Sequence, residues 1–483
     1  MAALLFIVVL GQLDAGEVDV EVIPAPMTPE PVDAGAPPAV VHRASPVPAP
    51  SPEPETPRAP AFAMRAGIET GVLLFPEGNP FDGLAVARPL LSFEAGELFA
   101  AELGATFNLL ILDTTPYNSG RELGGILRKP DWDEPSDFGQ ILRHLRIGSD
   151  GGPAWLRAGA VRLKTLGNGH VINRYSNQDN PNYHPASANG GLHVGPFRAE
   201  LFASDVLGPR ILGGLVGVEL GRIIANDPKW HDRFWVTAEL AHDFGNAGGA
   251  ECPPASTDAS CPAGARRTTP GVTVLEADFS AMVARTQTAK LQLLAGLGGG
   301  FASGRGDLGA LAGMTGELDV GPVSFGAKVE ARKQGGVFRH GLFGPQYEIS
   351  RFAAAGFSGP LLAQQLLPDS GSVYGELRVG SRGLVIAEVA IEHFFWNRTD
   401  VDVTLQAELF GSRVVTLARF TAVAVGVLPR YAATGEVRVR FIPSLYVVAS
   451  GGTVFFPQAD ASLTRGVFFM GGAGVDLEVV TKR

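Results

Sequence analysis

The dominant pattern along this chain is alternation. From Thr399 to Leu409, Asp400, Asp402, Thr404, Gln406 and Glu408 take one parity, while Val401, Val403, Leu405, Ala407 and Leu409 take the other. A period of two belongs to a strand with two unlike faces. The arrangement recurs after residue 61. Glu102, Thr106 and Asn108 oppose Phe99, Leu103 and Phe107. Glu276, Asp278 and Ser280 oppose Leu275, Ala277 and Phe279. Lys328, Glu330 and Arg332 oppose Phe325, Ala327 and Val329. Glu436, Arg438 and Arg440 oppose Val437, Val439 and Phe441, and Asp476 and Glu478 oppose Val475, Leu477 and Val479. No amphipathic helix competes with these segments.

The connections carry a second pattern. Short turns such as "EAGE" near Ala95, "VGPF" at Val194, "VGPV" at Val320 and "IPS" at Ile442 supply the Gly, Pro and Ser that hairpins need. Between them lie longer connections: Pro76 to Gly83, Asp113 to Asp137, Leu166 to Ala188, Gly245 to Pro270, Gly335 to Gly371 and Pro457 to Arg465. One segment before Arg233, "IIANDPKWHD", is long where a short turn is due. Alternating short and long connections describe an up-and-down antiparallel sheet with one tight end and one looped end. The count is about 20 strands, within a range of about 16–20, each able to cross lipid in 9–11 residues.

Alternation alone also fits a pair of soluble β-sandwiches. Three features favour lipid: no break divides the chain into domains, the turns are two-ended, and Trp155, Trp235, Trp396, Phe455 and Phe456 fall near strand ends, as an interfacial girdle would. Lipid leaves no backbone group unsatisfied, so the sheet must close. The fold expected is all-β, an antiparallel up-and-down transmembrane β-barrel over residues 62–483.

Composition adds an exported context. Only 18% of the 483 residues are charged and 62 are glycine. The run Ala2–Leu10, "AALLFIVVL", suits the apolar region of a signal peptide spanning residues 1–16, the alternative being a buried apolar strand. Thirteen prolines lie between Pro24 and Pro60, so residues 17–61 read as a disordered Pro/Ala/Glu-rich linker, a spacer on the order of 100 Å. The net charge is −10, most of it in this tail, and no basic patch suits nucleic acid. Cys252 and Cys261 are the two cysteines; a short-loop disulfide suits export, and two free thiols are the alternative.

Hairpins such as "RVVTLARFTAVAVG" and "LYVVASGGTVFF" behind a Pro-rich linker resemble bacterial outer-membrane β-barrel proteins, porin-like in size. The resemblance covers everything after Ala61. It implies the outer membrane of a diderm bacterium, lipid and small polar solutes as partners, no cofactor and no catalysis. The chain departs from the pattern at its end, "VVTKR", where such proteins usually place an aromatic residue.

Inward parity collects the candidate pore-lining charges: Glu102, Glu276, Asp278, Lys328, Glu330, Arg332, Glu376, Arg378, Glu388, Glu392, Asp402, Glu408, Arg413, Arg419, Glu436, Arg438, Arg440, Asp476 and Glu478. Arg413, Arg419, Arg438 and Arg440 fall on two adjacent strands, which predicts a basic strip on one wall, only partly answered by Asp402 and Glu408. The segment Gly167 to Pro185, dense in Asn, His and Tyr, reads as a solvated external loop; His170 and His184 are its one possible metal pair, and no metal is expected. The segment Phe338 to Pro368 is too long and apolar for an idle loop and reads as a constriction or cap. No nucleophile constellation is visible, and "GLGGGF" at Gly296 lacks the helix a phosphate loop needs. The expected function is a channel for small polar solutes. The alternative is a plugged, structural barrel whose Pro-rich arm contacts periplasmic or cell-wall partners.

Overall fold

The computed structural model describes residues 62–75, 82–112, 127–149, 152–225, 227–250, 269–381, 384–457 and 462–481. The expectations for residues 1–61 and for Cys252 and Cys261 fall outside them. The strands are β1 (Phe62–Phe75), β2 (Asp82–Ala95), β3 (Phe99–Gly104), β4 (Phe107–Leu112), β5 (Leu142–Ile147), β6 (Ala154–Gly159) and β7 (Ser187–Val194). They continue as β8 (Phe197–Ala203), β9 (Ile211–Glu219), β10 (Phe234–Asp243), β11 (Val272–Arg285), β12 (Ala289–Ala302), β13 (Arg305–Val320) and β14 (Val323–Gly336). The last are β15 (Leu367–Ser381), β16 (Val385–Phe394), β17 (Arg398–Leu409), β18 (Val414–Val425), β19 (Arg430–Ile442), β20 (Leu445–Pro457) and β21 (Leu463–Thr481).

Apart from β3 and β4, where β5 pairs with β3, consecutive strands pair antiparallel, and β1 pairs with β21 from Phe62↔Thr481 to Leu74↔Phe469. That ladder closes the sheet and removes both edges. β3 and β4 are two halves of one interrupted strand, because both pair with β2, so the barrel has 20 strands. The break has a local cause. Arg88 and Pro89 of β2 stand opposite the gap between Gly104 and Phe107, and Pro89 has no N–H to donate to the ladder.

The short turns lie where the sequence places them. Gly195 (φ +60°) and Gly321 (φ +58°) turn β7 into β8 and β13 into β14 in the left-handed conformation glycine allows. The "IIANDPKWHD" segment forms a short helix, Leu220–Ile224, and a 3-10 turn, Pro228–Trp230, capped by the Asp227 side chain. The looped end is less uniform than expected. Ser303–Gly304 is a tight turn there, and β16–β17 and β18–β19 are also joined by only a few residues. Among the described residues no helix is long and apolar enough to cross a membrane; the chain crosses with strands.

The two faces follow the alternation. Ile68, Leu201, Leu240, Phe279, Leu297, Leu308, Val329, Leu377, Ile391 and Leu477 are exposed and circle the outside. Glu276, Asp278, Glu330, Arg332, Glu392 and Asp402 are buried inside. An apolar belt of this extent cannot face water in a soluble monomer. The girdle residues differ from those expected. Trp155 and Trp235 face the lumen near the short-turn end, with the Arg157 and Arg198 guanidinium groups stacked on them. Phe455 and Phe456 are buried. The exposed aromatics near strand ends are instead Phe197, Phe410 and Phe441 at the short-turn end, and Phe244, Phe301 and Phe395 at the looped end. Trp155 shares parity with Arg157, and that parity outweighs its nearness to the strand end.

Two connections turn inward. Residues 160–186 and 337–366 enter the lumen and pack Leu166, Val171, Ile172, Tyr175, Phe338, Phe343 and Tyr347 against Leu215, Ala241, Val272 and Val274 of the wall. The wall makes room with glycine. A Cβ at Gly298 would come within 2.6 Å of the Phe338 ring, and one at Gly300 within 2.9 Å of the Phe338 backbone. The "GLGGGF" stretch is thus a recess for an inward loop.

Candidate functional site: a half-filled lumen

One half of the lumen, bounded by β7 to β17, is filled and bolted. The Gly167 to Pro185 segment is not a solvated loop: Leu166, His170, Val171, Ile172, Tyr175 and Asn177 are fully buried. Its polar side chains find the charges that inward parity places on the wall. Arg174 reaches Asp402 at 2.7 Å and Glu388 at 3.0 Å. Lys328 holds Glu330 at 2.7 Å and donates to the Asn168 carbonyl. The second inward loop does the same. Arg339 pairs with Asp400 at 2.7 Å, and Arg351 pairs with Asp243 at 2.9 Å while the Tyr347 hydroxyl donates to that carboxylate. Arg210 pairs with Glu348, which also accepts from the Tyr175 hydroxyl. Within the wall, Arg332 bridges Glu330 and Glu392, and Glu376 accepts from Tyr374. Buried charges of this kind need such partners, because an isolated one costs several kcal/mol.

The other half, bounded by β1 to β5 and β17 to β21, keeps a cavity of about 690 Å³. Eight arginines and six carboxylates line it. The expected basic strip is largely answered. Arg438 pairs with Glu69 at 3.3 Å, Arg440 with Asp476 at 2.6 Å, and Arg419 with Asp402 and Asp179, both at 3.2 Å. Barrel closure is the reason: it brings β1 and β21, the ends of the chain, beside β19 and β20. Arg413 lies exposed in the turn between β17 and β18, where its carbonyl, accepting from the Arg440 N–H at 2.7 Å, is its tie to the sheet. Glu408 accepts from Ser412 near that rim. Arg378 pairs with Glu388, and Glu478 with Arg65 near the short-turn end. Glu102 and Glu436 line the cavity.

The positive groups that remain are ones the sequence reading missed. Arg143 donates to Thr106 at 3.3 Å but has no carboxylate partner among the described residues, and neither has Arg162. Both line the cavity, beside Arg88, which is paired with Glu69 at 2.8 Å. Glu69 was legible: it alternates with Ile68 and Val72 in β1. Arg162 sits on an inward loop, where no period marks it.

Residues 127–141 and 180–185 form a lid over part of the looped end of this cavity. Arg128, buried, pairs with Asp131, and His184 approaches Asp131 at 3.3 Å. Burial alone would raise the Asp131 carboxyl; Arg128 and His184 overcome it and hold it below its usual range. Asp137 lacks a guanidinium of this kind, and burial pushes it up to about 7. His184 therefore serves this lid, far from His170, which lies among Glu276, Asp278 and Glu330.

No family model and no curated protein matches the chain. Solved structures similar in overall shape include Wzi, an outer-membrane protein involved in group 1 capsule assembly in Escherichia coli, described as a carbohydrate-binding β-barrel. It is 11% identical, with 88% of this chain and 85% of that chain covered and a TM-score of 0.32. OpdK of Pseudomonas aeruginosa, solved with vanillate, is 10% identical over 87% and 98%, with a TM-score of 0.30. The ferric enterobactin receptor PfeA of the same organism is 8% identical over 87% and 82%, with a TM-score of 0.33. Register-by-register closure, the apolar belt and the charged interior rest on this chain alone. A closed sheet of 20 strands with apolar side chains outward and charged side chains inward is a transmembrane β-barrel of the bacterial outer-membrane type.

Proposed function

We propose that this barrel is a diffusion channel for small polar solutes, with a preference for anions, and that solutes pass through the unfilled half of its lumen. The observation that carries this reading is the cavity of about 690 Å³ in which Arg143 and Arg162 have no carboxylate partner among the described residues. Rings and clusters of arginine favour anion passage, because a desolvating anion exchanges water for guanidinium donors. The inward loops would act as the constriction, leaving a lane along β1 to β5 and β18 to β21. Proteoliposomes loaded with the purified protein should take up small carboxylates faster than cationic amines of equal size. Equal rates, or uptake no faster than in empty liposomes, would contradict the reading.

A second reading has its own observation. The bolts at Arg174, Arg339, Arg351 and Arg210 make the filled half resemble a plug. On that reading the barrel is structural, and the Pro-rich segment before it reaches periplasmic or cell-wall partners. A protein that folds into bilayers and never conducts would favour it.

A further inference from the structure

Among the described residues, one group of potential metal ligands, His170, Glu276 and Asp278, has ligand atoms within 4.8 Å of one another and is not explained by the bolts. His170 Nδ1 lies 2.9 Å from Asp278 Oδ2 and 3.9 Å from Glu276 Oε1. All three side chains are at least nine-tenths buried. Glu239 of β10 stands directly across the ladder from Glu276 of β11, and Asp278 lies two residues further along the same face. Like charges placed opposite each other destabilise a sheet unless something positive lies between them. Lys328 and Arg332 supply positive charge, but both are spent on Glu330. Among the described residues, the ion pairs of Glu276 and Asp278 are with His170 and His340 alone.

The hydrogen bonds point the same way. Glu330 Oε1 lies 2.7 Å from His170 Nε2, so that nitrogen carries a proton and donates it. The Nδ1 side then faces carboxylates. At 2.9 Å from Asp278 Oδ2, Nδ1 is close enough for charge attraction, yet it makes no hydrogen bond there, and neither Asp278 oxygen has a hydrogen-bond partner. Glu239 Oε2 is buried and also without one. Glu276 Oε1 and Asp278 Oδ1 converge over Gly296, where a Cβ would collide with both.

We propose that His170, Glu276 and Asp278 form a binding site for one divalent transition-metal ion, with Glu239 as a further carboxylate and Glu330 orienting the imidazole. The geometry suits such an ion. Bonds of about 2.0–2.1 Å in a tetrahedron separate ligand atoms by roughly 3.3 Å, and the two distances on Nδ1 bracket that value. An imidazole nitrogen selects zinc-like ions over calcium or magnesium, which prefer oxygen alone. A carboxylate on the far nitrogen of a ligating histidine is the usual supporting partner. The ion would tie the first inward loop, through His170, to β11, and so fix the plug to the wall.

The test is zinc binding by the full chain carrying Cys252→Ser and Cys261→Ser, so that thiols cannot contribute. The protein is stripped with chelator, folded in detergent with and without zinc chloride, and titrated. We expect one zinc ion per chain, saturable binding lost in Asp278→Asn and Glu276→Gln, and binding about 10–100-fold weaker in Glu330→Gln. Heat-modifiable migration on gels checks that each variant is folded. Should a variant fail to fold, X-ray absorption on the zinc-loaded parent decides: nitrogen and oxygen neighbours at about 2.0–2.1 Å support the site. No saturable zinc on the folded parent, undiminished binding in Asp278→Asn, or a zinc shell of water oxygen alone would overturn it.

Discussion

The two halves of the lumen have the same kind of wall and opposite contents. β10 to β17 and β19 to β21 with β1 alternate in the same way, apolar outward and charged inward. On the first side, inward loops supply counter-charges at close range: Arg174, Arg339 and Arg351 meet Asp402, Asp400 and Asp243 in the dry interior. On the second side the wall answers itself, Arg438 to Glu69 and Arg440 to Asp476, and a cavity remains beside them. The two walls are therefore alike, and what folds against them differs: among the described residues, inward loops occupy only part of the lumen.

The largest expected effect separates buried from wet ion pairs. Arg351→Ala leaves Asp243 buried with the Tyr347 hydroxyl as its main support, and should cost about 3–5 kcal/mol of stability. Arg438→Ala removes a pair whose arginine is 39% exposed and should cost less than about 1 kcal/mol. Denaturant unfolding in detergent or bilayers compares the two, and equal costs would erase the distinction between the halves.

Outside, the halves should be alike. Ile68→Arg on β1 and Val329→Arg on β14 each place a charge on lipid near mid-strand, at about 2–4 kcal/mol. A large difference in folded yield between them would mean that one of these faces is not lipid-facing. A smaller effect belongs to the recess. Gly298→Val drives a side chain into Phe338 and should cost about 1–3 kcal/mol, loosening the filled half without altering ion preference.

The smallest effect is a pH dependence at the lid over the open half. Because burial raises the Asp137 carboxyl to about 7, its stabilising contribution is complete below the ordinary aspartate value of ~4 and is lost as pH rises to about 7. Protection of residues 127–141 from protease should fall across that window. In Asp137→Asn, whose side chain does not titrate, protection should stay level.

Much of this was legible in the sequence. Period two gave the strands and their faces, because every wall residue repeats the same geometric constraint; wall charges such as Glu69, Arg143, Glu239 and Asp243 obey that parity too, although no motif singled them out. Arg413 differs from the others because parity continues on paper into the turn at the rim, where its side chain is exposed. The basic strip failed for a different reason: closure pairs residues hundreds of positions apart, such as Arg438 and Glu69, and no local pattern encodes that. The inward loops were least legible. Asn, His and Tyr suit a solvated loop as well as a buried one, and what buries residues 167–185 is the set of wall charges awaiting partners. The second loop announced itself through apolar content too great for solvent.

The most direct test of the account is the reversal potential of single channels in planar bilayers under a salt gradient, for the native chain and for Arg143→Glu with Arg162→Glu. The native channel should be open with anion preference, and the double variant should shift toward cation preference by an effect that shrinks at high salt as screening sets in. A conducting channel whose reversal potential does not move would contradict it, because ions would then pass somewhere other than the unfilled half.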